Sequence, residues 1–347
     1  MKCRGRRLRY LHEIAGVAVL AGFPCVGSAF SQSFGIPLAC DLGRDCFVQQ
    51  FADMRPGPGS DDPFCGPATY DGHDGTDFRI RSLRDMAVGV DVLAVADGVV
   101  VRTRNSELDR LIRTESDREA VAGRECGNGL VLDLVGDLEV QYCHLKRNSI
   151  IVSPGDAVKS GQRLGQVGIS GLTQFPHVHL TTRRAGEAID PVTGRPLAKG
   201  CRTSSDSSEI SLFAADILKK IGNGLPQPLA CGLSDRPVNQ SQLELEGAMP
   251  SISEGAQAVV GWCWLMNPDK GDQLTLRLLS PDGFVLAENV VAPLERPKAT
   301  FVTFAGRNAP PKAGDYTVRL TIVRDDYILL DHIEKFPMPK SLTVIPK

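Results

Sequence analysis

Histidine is scarce in this chain, with six in 347 residues, and tryptophan scarcer still, with two. Net charge is close to zero, at −2, which argues against a general nucleic-acid binder. No Cys-x-x-Cys pair occurs, so a zinc knuckle has no ligands. No His-Glu-x-x-His occurs, which excludes a helix-borne zinc protease site. Gly168-Ile169-Ser170-Gly171 lacks the Gly-x-Ser-x-Gly spacing of a serine nucleophile elbow. Beyond the N-terminus no apolar run is long enough to cross a membrane.

What is present begins with Lys2, Arg4, Arg6, Arg7 and Arg9, followed by an apolar stretch from Ile14 to Phe30 and small residues at Gly27-Ser28-Ala29. This is the pattern of a secretory signal peptide over residues 1–29. A retained anchor fits less well, because Pro24 interrupts a stretch already shorter than the ~20 residues a span needs. A periplasmic or secreted protein with no membrane span after signal removal follows. Ten cysteines are present, and the signal would take Cys3 and Cys25. Cys40, Cys46, Cys65, Cys126, Cys143, Cys201, Cys231 and Cys263 remain, an even set that points to disulfides in an exported chain. Cys126 and Cys143 flank one predicted hairpin, although a turn near Leu134 to Asp137 sets them diagonally rather than opposite.

The texture along the chain is mainly β. Residues 30–69 read as an irregular, cysteine-containing segment with a Pro/Gly/Asp loop from Arg55 to Pro63. From Tyr70 a turn feeds a strand, Val88 to Val101 is β-rich, and residues 102–125 read as a charged, helix-compatible surface insertion. Leu130 to Leu134 and Leu138 to Leu145 predict a hairpin about Gly136-Asp137, and short apolar pieces between glycine turns follow from Val152 to Gly168. Residues 70–195 are therefore expected to form a compact antiparallel, barrel-like β domain. Residues 196–239 read as a linker with an amphipathic helix over 208–221. Residues 240–347 read as an immunoglobulin-like β-sandwich of unknown role. In it Trp262 and Trp264 alternate with Cys263, which favours packing over a sugar platform.

Four of the six histidines fall between residues 73 and 179. His177 and His179 stand two apart in an apolar run, so a strand puts both on one face. His73 and Asp77 would lie roughly 13 Å apart on an extended strand, but Gly72 and Gly75 let the chain turn and both converge. With His179 as a third ligand, a zinc ion would keep an open position for water, as catalytic sites do. His144 and His177 are then left near the metal to move protons or stabilise an oxyanion.

His73-x-x-x-Asp77, Gly127-Asn128, Tyr142-x-His144-Leu145, Gly161-Gln162 through Gly168, and His177-x-His179 together resemble the lysostaphin/LytM-type zinc endopeptidases over roughly residues 70–192. The resemblance implies a β fold with zinc in a groove, His73, Asp77 and His179 as its ligands, and His144 and His177 as catalytic histidines. It implies stem or cross-link peptides of peptidoglycan as substrate, attacked by a zinc-activated water, with His177 as general base. His144 would stabilise the oxyanion or assist the leaving amine. The 102–125 insertion and the many cysteines depart from the simplest members. Two rivals stand beside this reading. One is a non-catalytic envelope protein on the same scaffold that binds or activates a hydrolase, though such proteins typically lose the ligands kept here. The other is a biotinyl- or lipoyl-type carrier, suggested by Pro154 to Gln162, which leaves the histidines unexplained.

Overall fold

The computed structural model describes residues 33–202, 210–247 and 249–339. The signal pattern of 1–29 lies outside them. Strand β1 (Cys46–Gln50) precedes β2 (Thr76–Ile80), helix α1 (Leu83–Val88), β3 (Asp91–Leu93), β4 (Gly98–Arg104) and helix α2 (Glu115–Ala120). Next come β5 (Asn128–Leu134), β6 (Leu138–Leu145), β7 (Ala157–Val158), β8 (Arg163–Gln166), β9 (His177–Arg184), β10 (Glu187–Ile189) and α3 (Ala215–Ile221). The C-terminal part holds β11 (Gln227–Ser234), β12 (Val259–Met266), β13 (Gln273–Leu279), β14 (Val285–Val291), β15 (Thr300–Arg307), β16 (Gly314–Arg324) and β17 (Tyr327–Met338).

The main sheet is antiparallel, in the order β1-β2-β9-β6-β5-β4-β7, with β10 beside β9 and β3 paired to β8 separately. Period-2 alternation builds its two faces. Phe78 and Ile80 of β2, Val178 and Leu180 of β9, and Val140 and Tyr142 of β6 share one buried core. Each such side chain contributes about 1.5–3 kcal/mol by leaving water. The intervening residues Asp77, Arg79, His177 and His179 are buried on the opposite face.

Some segments differ from their sequence reading. Residues 30–69 are irregular only in part, because β1 lies there and pairs with β2. This segment is stapled by Cys40–Cys46 and Cys65–Cys201. Within 102–125 the helix is confined to α2, with a capping box between Thr114 and Asp117, and Ile112 is buried rather than at the surface. The helix read over 208–221 is shorter: only α3 (Ala215–Ile221) is helical, residues 210–214 are non-helical instead, with Phe213 bridging to Phe34, and 208–209 lie outside the described residues.

The C-terminal part forms a three-stranded sheet, β11-β12-β15, and a four-stranded one, β14-β13-β16-β17. Cys263, Leu265, Leu276, Val318 and Leu320 fill the core the two sheets share. β11 begins at Gln227, inside the stretch read as linker. Pro228, Ala230 and Gly232 give it little strand signal, and its pairing with β12 and the Cys231–Cys263 disulfide hold it. Trp262 and Trp264 are buried, but on the far face of that sheet. There they join Phe47 of β1, Leu229, Leu243 and Met266 in a separate apolar cluster that seats the C-terminal sheets on the edge of the main sheet.

Candidate active site

The register of β2 against β9 sets the site. Asp77 lies opposite His179 and Arg79 opposite His177, so four polar side chains form a square on one face. His73 joins them from the preceding turn. Gly72 makes that turn with a φ of +78°, whereas Gly75 serves by lacking a side chain, since a Cβ would stand 2.6 Å from Nε2 of His179.

Three atoms converge. His73 Nε2 lies 3.0 Å from His179 Nδ1 and 3.2 Å from Asp77 Oδ1, and His179 Nδ1 lies 2.9 Å from the same oxygen. The edge of a tetrahedron around zinc, with ligands at about 2.0–2.1 Å, is roughly 3.3 Å. The triangle therefore matches one face of such a site. Ring protons point elsewhere. Nδ1 of His73 donates to the Phe51 carbonyl at 2.6 Å, which leaves Nε2 as an acceptor. Nε2 of His179 reaches Asp74 Oδ1 at 3.1 Å and Thr181 Oγ1 at 3.0 Å. With its proton there, His179 Nδ1 is an acceptor too, so three lone pairs face one another and call for a cation. Without a metal the protein supplies one itself. Burial disfavours charge on His179, but the hydrogen bonds to Asp74 and Asp77 outweigh it and push its pKa up to about 9. Burial likewise disfavours the Asp77 carboxylate, yet the fields of His73 and His177 hold it ionised, well below the usual range.

His144 and His177 stand beside this triad. Strict alternation along β6 would put His144 on the core side with Tyr142. Instead β6 carries a bulge, and His144 adopts a φ of +65° that turns its ring to the site face. That backbone conformation costs roughly 1–2 kcal/mol. It is held by the His144 N–H donating to Cys126 O at 2.8 Å, beside the Cys126–Cys143 disulfide. The chain at Cys126 bends back over β6, which is how the diagonal cysteines meet. Nδ1 of His144 donates to Ser170 O at 2.8 Å, and the Ser170 hydroxyl bonds Leu145 O and the Asn128 amide. Burial, followed by the nearby His177 and His179, holds the His144 pKa well below 6.5, so this ring is neutral. Nδ1 of His177 donates to Phe175 O at 2.9 Å, and its Nε2 comes within 3.4 Å of Asp77 Oδ1. The His144 and His177 ring centres are 4.7 Å apart. All five residues singled out from the sequence are thus brought together.

Sequence reading missed the residues around them. Tyr70 stacks on His73 at 4.5 Å, and Phe175 stacks on His177 at 4.4 Å. Asp74 fixes His179, and the only hint of it was a second carboxylate in His73-Asp74-Gly75-Thr76-Asp77. Arg79 is fully buried, with its pKa brought down to about 10 by burial despite nearby Glu244, and it remains charged at neutral pH. The groove in front of the site, about 360 Å³, is walled by Tyr70 and His177, by Ile112 and Arg118 of the insertion, and by Glu244 and Thr300 from the C-terminal part.

Residues 71–191 match the family model described as Peptidase family M23. This stretch is an M23 peptidase domain. The resemblance read from the sequence to lysostaphin/LytM-type enzymes is borne out. The chain is similar to peptidoglycan DD-endopeptidase ShyA of Vibrio cholerae, with 33% identity over 144 residues, or 41% of this chain and 27% of that protein. An uncharacterized metalloprotease of Haemophilus influenzae is 28% identical over 121 residues, or 35% of this chain and 20% of that protein. The chain thus spans about a quarter or less of the length of these relatives. Among solved structures, the catalytic domain of EnpA from Enterococcus faecalis aligns at 24% identity and a TM-score of 0.31, covering 48% of this chain and 97% of that one. Lysostaphin's catalytic domain from Staphylococcus simulans aligns at 22% and 0.27, covering 41% and 85%. Some M23 members are not catalytic, so activity rests on the residues of the site. Among the described residues no helix is long and apolar enough to cross a membrane.

Proposed function

We propose that this protein is an exported zinc endopeptidase that hydrolyses peptide bonds in peptidoglycan, with His73, Asp77 and His179 holding the metal. The observation that carries the reading is the triangle of three acceptor atoms, 2.9–3.2 Å apart, whose ring protons are engaged outside it. Zinc, when bound, supplies Lewis acidity and lowers the pKa of water at the position the protein leaves open. The chain's own residues then handle protons. His177, its tautomer fixed by Phe175 O, presents Nε2 as the general base that takes the proton of the attacking water. His144 is neutral and presents Nε2 as an acceptor. It donates to an oxyanion or leaving amine only after receiving a proton, and the adjacent His177 ring is the source.

Peptidoglycan as substrate is supported by the activity for which the Vibrio cholerae relative is named and by a groove sized for a few peptide residues. Export, to periplasm or medium, is supported by the N-terminal pattern and by four disulfides among the described residues. The paired C-terminal sheets are read as an immunoglobulin-like sandwich. The test is digestion of purified peptidoglycan with and without a zinc chelator, with new termini identified by mass spectrometry. New amino termini within stem or cross-link peptides, lost on chelation, are expected. Intact peptidoglycan from several wall types would reject the reading.

A further inference from the structure

Arg79 is an unusual side chain to bury beside a pair of histidines that must move protons. Only 1% of its surface is accessible, and it stands directly across from His177 in the β2–β9 register. Its guanidinium carbon lies 5.0 Å from the centre of the Phe175 ring and 5.1 Å from that of Trp264. Phe175 in turn stacks on His177 with an interplanar angle of 24°. A continuous pile results: Trp264 of the C-terminal sheet, Arg79, Phe175, then His177. The guanidinium is anchored edgewise as well, donating to Gln49 Oε1, to Arg81 O at 3.1 Å and to Ile80 O at 3.3 Å, with Glu244 at 3.9 Å. Gln49 is itself tied to the C-terminal part, since its carbonyl accepts from Asn267 Nδ2 at 2.8 Å. A planar cation suits this place: its faces meet aromatic rings while its edge N–H groups reach fixed oxygens.

We propose that Arg79 is a positioning residue for His177, and that the C-terminal sheets, through Trp264, form a structural part of the active site by holding it. This rests on the peptidase reading for its kinetic consequence but not for its geometry. Phe175 supplies both the ring that stacks on His177 and the carbonyl that accepts its Nδ1 proton. A shift of Phe175 therefore moves the ring and its hydrogen bond together. Displacements of about 1 Å at a reacting group can cost about a hundredfold in rate.

The test uses the full chain, loaded with zinc, in four forms: wild type, Arg79→Met, Trp264→Leu and Trp262→Leu. Trp262 belongs to the same apolar cluster, but the ring that Arg79 meets there is that of Trp264. Arg79→Met and Trp264→Leu are expected to keep zinc and to lower kcat on a soluble cross-linked wall peptide about tenfold to a hundredfold, with KM little changed. Trp262→Leu should lower the melting temperature about as much as Trp264→Leu while keeping kcat within about twofold. Should Trp264→Leu fail to fold, Trp264→Phe retains a ring and is expected to retain kcat, leaving Arg79→Met to decide. A second readout needs no activity. In histidine-labelled protein the His177 side-chain resonance, identified by its loss in His177→Gln, should be single in wild type and broadened or split in Arg79→Met. Wild-type kcat and an unchanged His177 resonance in Arg79→Met would overturn the proposal. A wild type that cleaves nothing, but whose His177 resonance responds to Arg79→Met, would reject the peptidase reading alone.

Discussion

Raising the pH should separate the metal-free from the zinc-loaded protein. In the metal-free site the imidazolium of His179 is the cation that Asp74 and Asp77 face, with a folded-state pKa of about 9 against 6.5 for an ordinary histidine. A raised pKa means that the folded chain holds its proton more tightly than the unfolded one. Below pH 6.5 both states are protonated and the stabilisation is complete. Between 6.5 and 9 the unfolded chain loses the proton first and stability falls, and above 9 nothing of this contribution remains. The shift corresponds to about 3 kcal/mol. Zinc must displace the same proton, so its apparent affinity should rise about tenfold per pH unit from 7 towards 9 and then level. Thermal melts of metal-free protein across pH 6–10, with zinc titrations against a competing chelator at each pH, measure both quantities. An affinity flat from pH 7 to 9, or metal-free stability that rises over that range, would refute the assignment of the site's charge to His179.

The other outcomes expected are these. Asp77→Ala and His179→Ala should each lose most of the zinc by elemental analysis, and full occupancy in both would remove them as ligands. His144→Ala and His177→Ala should keep zinc and fold but lose about 10²–10⁴ in peptide cleavage, as proton transfer and oxyanion stabilisation do; undiminished rates would reject their roles. Replacing Cys126 and Cys143 together by Ser opens a loop with a sequence separation of 17, which should cost about 3 kcal/mol in stability by denaturant unfolding. Since that disulfide flanks the strained His144, catalysis should fall further than stability alone accounts for. Intact mass of secreted protein should show a chain starting near Phe30 with most of its eight remaining cysteines oxidised.

The candidate site was largely legible because it is built of rare residues in short spacings. Alternation put His177 and His179 on one face, and a turn brought in His73. His144 was harder. Its neighbours Tyr142 and Leu145 signal a strand, but a strand alone turns His144 inward, and the bulge that reverses it depends on how Asn128 and Ser170 clasp the hairpin. Arg79 was not legible at all. An arginine alternating with apolar residues reads as the solvent face of a strand, and what buries it is Trp264, far along the chain. β11 was missed for a related reason: its residues are poor strand formers held by their partner strand.

The disulfide between Cys65 and Cys201, with a sequence separation of 136, has its two ends outside the M23 domain and encloses it. Cys126–Cys143 lies nested within that span, while Cys40–Cys46 and Cys231–Cys263 stand on either side of it. A chain oxidised in order of emergence from a membrane would pair Cys40 with Cys46 and then Cys65 with Cys126. That second bond is wrong, and it would pull the hairpin away from the histidines. If the chain is exported in that order, maturation would need either that Cys65 stay reduced until the whole domain has emerged, or that a thiol catalyst exchange the bond afterwards. Yield in a host lacking a disulfide isomerase should suffer at this one linkage before any other.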